Sequence, residues 1–284
     1  MSSGSKVQTV RSSTVFGLFL LLVAALFVLP YWWMIASSLK DQFSIFSDVS
    51  PISPATFIPS NPTLDNFAWL VENRSIHRAL LNSAFVAVGQ VVGTVVVCSL
   101  AAYALTRIRF PGRDFLFLLV LVTFLVPTEA LVVPLYQVVS GYGLANNLTA
   151  AFLPWLASPF GLFLLRQAFD EIPRELDEAA VIDGASHWQV FWHVILPNAR
   201  TALATLCLMT FLFAWNAFLW PLVILSSRDL TVVQVAIAQS VVPGELPNWG
   251  TTFAGATIAS LPVLLLFVLL QRYFIRGIAM TGIK

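Results

Sequence analysis

Six long apolar runs, separated by short clusters of charge, proline and glycine, set the pattern along this chain. They cover roughly Thr14 to Ile35, Leu80 to Leu105, Phe115 to Leu135, Leu148 to Phe169, Ala202 to Leu225 and Phe253 to Phe274. A helix needs about 20 mostly apolar residues to cross the hydrocarbon core of a bilayer, and each run meets that length nearly free of charge. The pattern predicts an all-α polytopic membrane protein with six transmembrane helices. Pro154, Pro159 and Gly161 in the fourth run predict a kink of the kind that neighbouring helices can satisfy in a membrane.

Composition agrees: 58% of the 284 residues are hydrophobic and only 10% charged, with a mean hydropathy of +0.84, far from soluble domains. The basic residues then give the orientation. Lys6, Arg11, Arg107, Arg109, Arg113, Arg166, Arg174, Arg200, Arg272, Arg276 and Lys284 fall in segments on one side, against Lys40, Arg74, Arg78 and Arg228 on the other. The excess marks the cytoplasmic side and places both termini there. A net charge of +1 with no basic stripe excludes a nucleic-acid partner. The first run ends in Tyr31, Trp32 and Trp33 without a cleavage pattern, so a retained helix is expected rather than a signal peptide. Cys98 and Cys207 lie inside predicted spans and read as small buried hydrophobes, and no metal site is expected.

The connections are more informative. An outer segment, residues 38–78, carries Pro51, Pro54, Pro59 and Pro62 and then Asn66, Trp69 and His77. It reads either as a passive connector or as a packed cap that touches an external partner. Gly89 and Gly93 form a G-x-x-x-G pair that allows close helix approach within the chain or, less favoured, between subunits. RIRFPGRD, Arg107 to Asp114, is a basic turn broken by Pro111 and Gly112.

The loop over residues 170–200 has an internal design. Pro173, Glu171 and Glu175 predict a helix start. Leu176, Ala179, Ala180 and Asp183 follow at helical spacing, making a smooth alanine strip beside Arg174, Asp177 and Glu178. Gly184 predicts a left-handed turn, Ser186 and Gln189 a capping box, and Trp188, Phe191, Trp192 and Ile195 an apolar face that Pro197 closes. His187 and His193 flank that face as interfacial polar residues. From spacing alone this is a helix, turn, helix that either parks on the inner membrane surface or docks something.

EAAVIDGASHWQVFWHVILP, Glu178 to Pro197, resembles the EAA loop of the membrane subunits of binding-protein-dependent ABC importers, with Val194 where isoleucine is usual. Ala101-Ala102-Tyr103-Ala104 with Arg107, Phe110-Pro111-Gly112-Arg113, Trp215-Asn216 with Phe218, Pro221-Leu222 and the tail from Gln271-Arg272 through Gly277 to Gly282 and Lys284 are similar to the carbohydrate-uptake group, specifically the second permease of maltose-type systems. The resemblance implies a single transmembrane domain over 1–284, with a core at about 79–274, in the bacterial cytoplasmic membrane. It implies an EAA loop coupling to a cytoplasmic ABC ATPase dimer through Glu178, Ala179, Ala180, Asp183, Gly184, Trp188, Phe191 and Pro197, and a tail whose Arg276 and Lys284 reach the same subunit. A second permease, an external substrate-binding protein and a carbohydrate are the other implied partners.

Independently, the chain has no G-x-x-x-x-G-K-[ST] motif to cradle ATP, so ATP and Mg are expected on the partner ATPase and no cofactor on this chain. No cluster of histidines or carboxylates marks a membrane enzyme, and no catalytic residue is assigned. A secondary transporter is the competing class, although paired intramembrane charges and inverted repeats are not evident. Glu129, in PTEALVVP, and Trp215, Asn216 and Trp220, in FAWNAFLWPL, are candidates for the translocation path. An intramembrane carboxylate is costly, and aromatic faces with an amide suit sugars. The alternatives are a wet interfacial carboxylate where Pro127 and Pro134 break the helix near the outer face, and an outer aromatic belt plus a helix break before Pro221.

Overall fold

Prolines and glycines decide which apolar runs become single helices. The computed structural model describes residues 4–240 and 248–281, and side chains for 16–240 and 248–271. Every regular element among them is helical. Helix α1 spans Gly4–Ser38 and α2 spans Ile76–Arg107. Residues 16–38, 76–107 and 249–271 are each helical and apolar over a length sufficient to cross a membrane.

Three further pairs of helices reach that length only together, bent at a short break. Helix α3 (Arg113–Thr123) and α4 (Thr128–Gly141) meet at 102°. Pro127 stands extended just before α4, and a proline disfavours helical backbone in the residue preceding it. Helix α5 (Leu148–Phe152) runs through a 3₁₀ turn and meets α6 (Pro159–Asp170) at 50°. Ser158 caps α6 by accepting from the Gly161 N–H at 3.1 Å, and Pro159 fills the first position, where a missing donor costs nothing.

The chain folds as two compact units, one drawn from residues 1–75 and 237–260, the other from 76–236 and 261–284. In the first, the part of the outer segment over residues 38–75 is folded around Lys40, which is 2% exposed. Its ammonium pairs with Asp48 at 3.0 Å and donates to the carbonyls of Ala55 and Thr56, so the buried charge is compensated. Asn66 donates to the carbonyls of Ser38 and Lys40 at 2.9 and 2.8 Å. Trp33 meets Phe253 edge-on at 5.2 Å.

In the second unit α2 is the spine. A Cβ on Gly89 would lie 2.8 Å from the Phe152 ring, and one on Gly93 2.5 Å from Leu156 Cδ2. The glycine pair therefore serves close packing within the chain. Cys98, Ala102, Leu162, Leu165, Phe169 and Leu206 fill the core between α2, α6 and the helix Arg200–Trp215. Cys98 is buried and Cys207 half-buried, both as free thiols. At the other end of α2, Arg78 pairs with Asp229, and Asn82 donates to the carbonyls of Asp229 and Thr231, each at 2.9 Å.

A second expected run is divided, besides Phe115 to Leu135. The run Ala202 to Leu225 is two helices, Arg200–Trp215 and Leu219–Ile224, separated at Asn216. Pro221 has no N–H for the Ala217 carbonyl, and it is accommodated only in the first turn of a new helix.

Candidate functional site

The segment after α6 builds its conformation from local signals. Pro173, extended at ψ 134°, is the residue just before helix α7 (Arg174–Ile182), and Glu175 and Asp177 occupy the first turn, at the positive end of the helix dipole. The helix closes as a Schellman motif: Gly184 N–H bonds Val181 O at 3.0 Å and Ala185 N–H bonds Ala180 O at 2.9 Å. Gly184 has φ +87°, and nothing lies within 4 Å of a Cβ placed there. Glycine is required by conformation, not by space.

Helix α8 (His187–Val190) begins with the reciprocal box read from sequence: Ser186 N–H donates to Gln189 Oε1 at 2.7 Å and Gln189 N–H donates to Ser186 Oγ. A π turn, Phe191–Ile195, follows, with Leu196 N–H reaching back to Phe191 O. Pro197 does not close the segment as expected. It cannot donate to the His193 carbonyl, yet helical backbone continues over Leu196–Asn198. Asn198 Nδ2 donates to Val194 O at 2.7 Å, and the break falls at Ala199 (φ −92°, ψ 12°). Helix α9 (Arg200–Trp215) then departs at 78°.

The inner side of this knob belongs to the same core as α2. Val190, Phe191 and Ile195 are buried with Ala102, Tyr103, Leu165 and Phe169, and Ala180 and Ala185 pack at the edge. Tyr103 holds it twice, with its ring edge-on to Phe191 at 5.2 Å and its hydroxyl donating to His187 O at 3.0 Å. One turn on, Arg107 pairs with Asp177, Nε to Oδ2 at 2.5 Å, and donates from Nη2 to Ile172 O at 2.9 Å. Arg174 Nη2 donates in turn to Thr106 O at 3.2 Å, supplying one of the carbonyls left over at the end of α2. The Arg107–Asp177 contact is an ion pair by distance, but Nε and the other carboxylate oxygen lack hydrogen-bond partners. Desolvation pushes the Asp177 carboxyl above the usual range, Glu178 adds to the rise, and Arg107 and Arg174 oppose it.

The outer side is bare. Glu178, Ala179, Asp183, Gly184, Trp188 and Pro197 are exposed, and only Ala180 of the alanine strip and Phe191 of the aromatic face turn inward. Ile182 is 85% exposed, Trp188 58%, Val181 52% and Trp192 50%. Open apolar side chains are thus gathered beside the Glu178 carboxylate on this loop. His187 and His193 are also exposed, and His193 Nδ1 lies 3.0 Å from Gln189 O.

The path candidates do not form one group. Glu129 is exposed in the first turn of α4, at the 102° break. Asn216 is exposed at the end of α9, donating to Leu212 O at 2.9 Å and accepting weakly from Gln234 at 3.4 Å. The two tryptophans are packing residues: Trp215 stacks on Phe211 at 5.4 Å, and Trp220 is buried with its indole N–H donating to Ala150 O at 3.0 Å.

Sequence patterns singled out Glu178 but passed over Asp177, its inward neighbour, and gave Arg107 only a topological part. Asp177 and Ala180 share a face three residues apart, the one local hint. Arg276 of the tail lies outside the residues whose side chains are described, as do Lys6, Arg11, Arg272 and Gly277, while Gly282 and Lys284 lie outside the described residues.

Residues 94–280 match the family described as binding-protein-dependent transport system inner membrane component. The chain is 36% identical over 230 residues to the arabinooligosaccharides transport system permease protein AraQ of Halalkalibacterium halodurans, covering 80% of this chain and 82% of that one. It is 32% identical to the lactose transport system permease protein LacG of Rhizobium radiobacter (90% and 91% covered). It is 34% identical to the sn-glycerol-3-phosphate transport system permease protein UgpE of Pectobacterium atrosepticum (96% and 98%). Among solved structures, a chain of a bacterial ABC transporter that imports the acidic polysaccharide alginate shares the fold, with a TM-score of 0.78 at 21% identity over 96% of this chain and 99% of that one.

Proposed function

This chain belongs to the binding-protein-dependent transport system inner membrane components, and from that premise we propose that it is a permease subunit carrying a carbohydrate through the cytoplasmic membrane in an ATP-driven importer. Six crossings with both termini cytoplasmic complete the proposal: the three unbroken spans, the bent pairs α3 with α4 and α5 with α6, and α9 continued by Leu219–Ile224, in the orientation set by the arginines. A second permease encloses the path, an external binding protein delivers the solute, and a separate ATPase dimer supplies the energy.

The observation that carries it is the two-sided knob over residues 174–198. Its inner side is locked to the end of α2 by Tyr103, Arg107 and the Thr106 carbonyl. Its outer side leaves Glu178, Ile182, Trp188 and Trp192 open. A displacement imposed from outside must move the end of α2, because the two share one core. Closure of the ATPase then favours one of two membrane conformations by contacts it makes only in that state. Asp183 and Pro197 are open to the same partner, Gly184 and Phe191 fix the knob's shape, and ATP and Mg belong on the ATPase.

A carbohydrate is favoured by the curated relatives for arabinooligosaccharides and lactose. A phosphorylated polyol is a second reading, favoured by the relative for sn-glycerol-3-phosphate that aligns over 96% of this chain. Uptake of labelled oligosaccharides, disaccharides and glycerol phosphate by cells with and without the gene separates them. Loss of oligosaccharide or disaccharide uptake alone supports the first reading, and loss of glycerol phosphate uptake alone the second.

A further inference from the structure

A basic cleft beside the knob is left unused by the coupling account. Arg109, Phe110, Pro111, Arg113 and Arg174 line an open cleft of about 490 Å³, and no carboxylate lines it. Its floor is the turn that closes α2 and opens α3, where Gly112 at φ +81° reverses the chain. Arg109 is exposed and has no partner among the described residues. Arg113 reaches only 3.7 Å from Asp114, whose carboxylate bonds Arg166 at 2.8 Å instead. Arg174 spends one nitrogen on Thr106 O. The nearby Asp177 is paired with Arg107 and only partly compensates Arg174. Three guanidinium groups thus converge with little compensation, a donor set suited to a phosphate oxygen fork.

Beyond the cleft the chain is apolar and unpacked. No residue of α3 is buried, and Phe115, Leu116, Leu118, Leu119 and Val122 are exposed. A charged cleft at the foot of an open apolar helix fits an anion that carries its own aliphatic tail better than a free ion.

We propose that this cleft holds the phosphodiester headgroup of an anionic phospholipid, with the acyl chains along α3. The headgroup bridges Arg109 and Arg113 on the turn to Arg174, the first residue of the docking helix, and so braces the same joint that Arg107 and Asp177 close. The proposal rests on the membrane placement given above, but its readout needs no transport, so the two stand or fall separately.

The test is native mass spectrometry of the purified complex after exchange into mixed phosphatidylcholine and phosphatidylglycerol. Wild-type protein is expected to retain phosphatidylglycerol preferentially, with retention falling about fivefold per arginine removed in R109Q and R113Q. Neither substitution touches the core, and an unchanged melting temperature in lipid-free detergent confirms folding. Equal retention of phosphatidylglycerol by wild type and the R109Q/R113Q double variant overturns the proposal. Stabilisation of delipidated protein by inorganic phosphate as large as that by phosphatidylglycerol overturns the lipid assignment.

Discussion

Arg107, the last residue of the longest described span in its unit, closes on Asp177 in the first turn of α7, with 6% and 17% of the two side chains exposed. The pair joins residues 70 positions apart and is the polar counterpart of the Tyr103–Phe191 contact one turn earlier. Removing one member strands the other, and breaking a buried pair costs about 3 kcal/mol or more. Arg107→Ala should therefore lower the melting temperature of the purified protein and abolish uptake. The R107D/D177R double variant should recover part of the stability, and a double-mutant cycle by thermal melting checks the coupling.

Tyr103→Phe removes one hydrogen bond and keeps the ring against Phe191. About 1 kcal/mol should be lost, with the His187 carbonyl left to water or unpaired. Coupling should weaken without failing, read as a reduced ratio of solute transported to ATP hydrolysed in reconstituted complex.

Gly184→Ala places a Cβ in open space but at φ +87°, so the cost is conformational, about 1–2 kcal/mol. Gly184→Asn should cost less than Gly184→Ala, because asparagine visits that region more readily. Thermal melts of the two variants rank them; the opposite ranking would mean that space, not backbone, selects glycine there.

The raised Asp177 carboxyl gives a pH signature with a defined sign. Its folded value lies above the unfolded one near 3.8, so the folded state takes up the proton first. The associated stability is fully present below the unfolded value and is lost as pH rises through the folded one. Wild type should therefore gain stability relative to Asp177→Asn as pH falls toward 3.8, measured by denaturation across the acid range.

Much of this site was legible because its signals are local. Ser186 and Gln189 sit three residues apart, Gly184 follows a helix that cannot continue, and Pro159 follows its own cap. Gly89 and Gly93 pointed to close helix approach, within the chain or between subunits, and the structure places Phe152 and Leu156 against them. The Arg107–Asp177 joint was not legible, because no local pattern brings together residues 70 positions apart and arginine at a span end already has a topological reason to be there. The packing of Trp215 and Trp220 was not legible for a related reason: an aromatic next to an amide looks the same in sequence whether it is open or buried. The break at Asn216 was open in the sequence as one reading of the stretch before Pro221, beside a span running unbroken from Ala202 to Leu225.

The central claim is that the outer side of the knob binds a separate ATPase while the inner side holds α2, so the two faces must separate by mutation. Copurification of the ATPase with tagged Glu178→Lys and Ile182→Asp chains, expressed with all partner subunits, tests it most directly. Both substitutions lie on exposed positions. The chains should insert and melt within about 0.5 kcal/mol of wild type, as exposed substitutions do, but lose the ATPase and with it uptake. Full ATPase recovery and unchanged uptake in both variants would contradict the account.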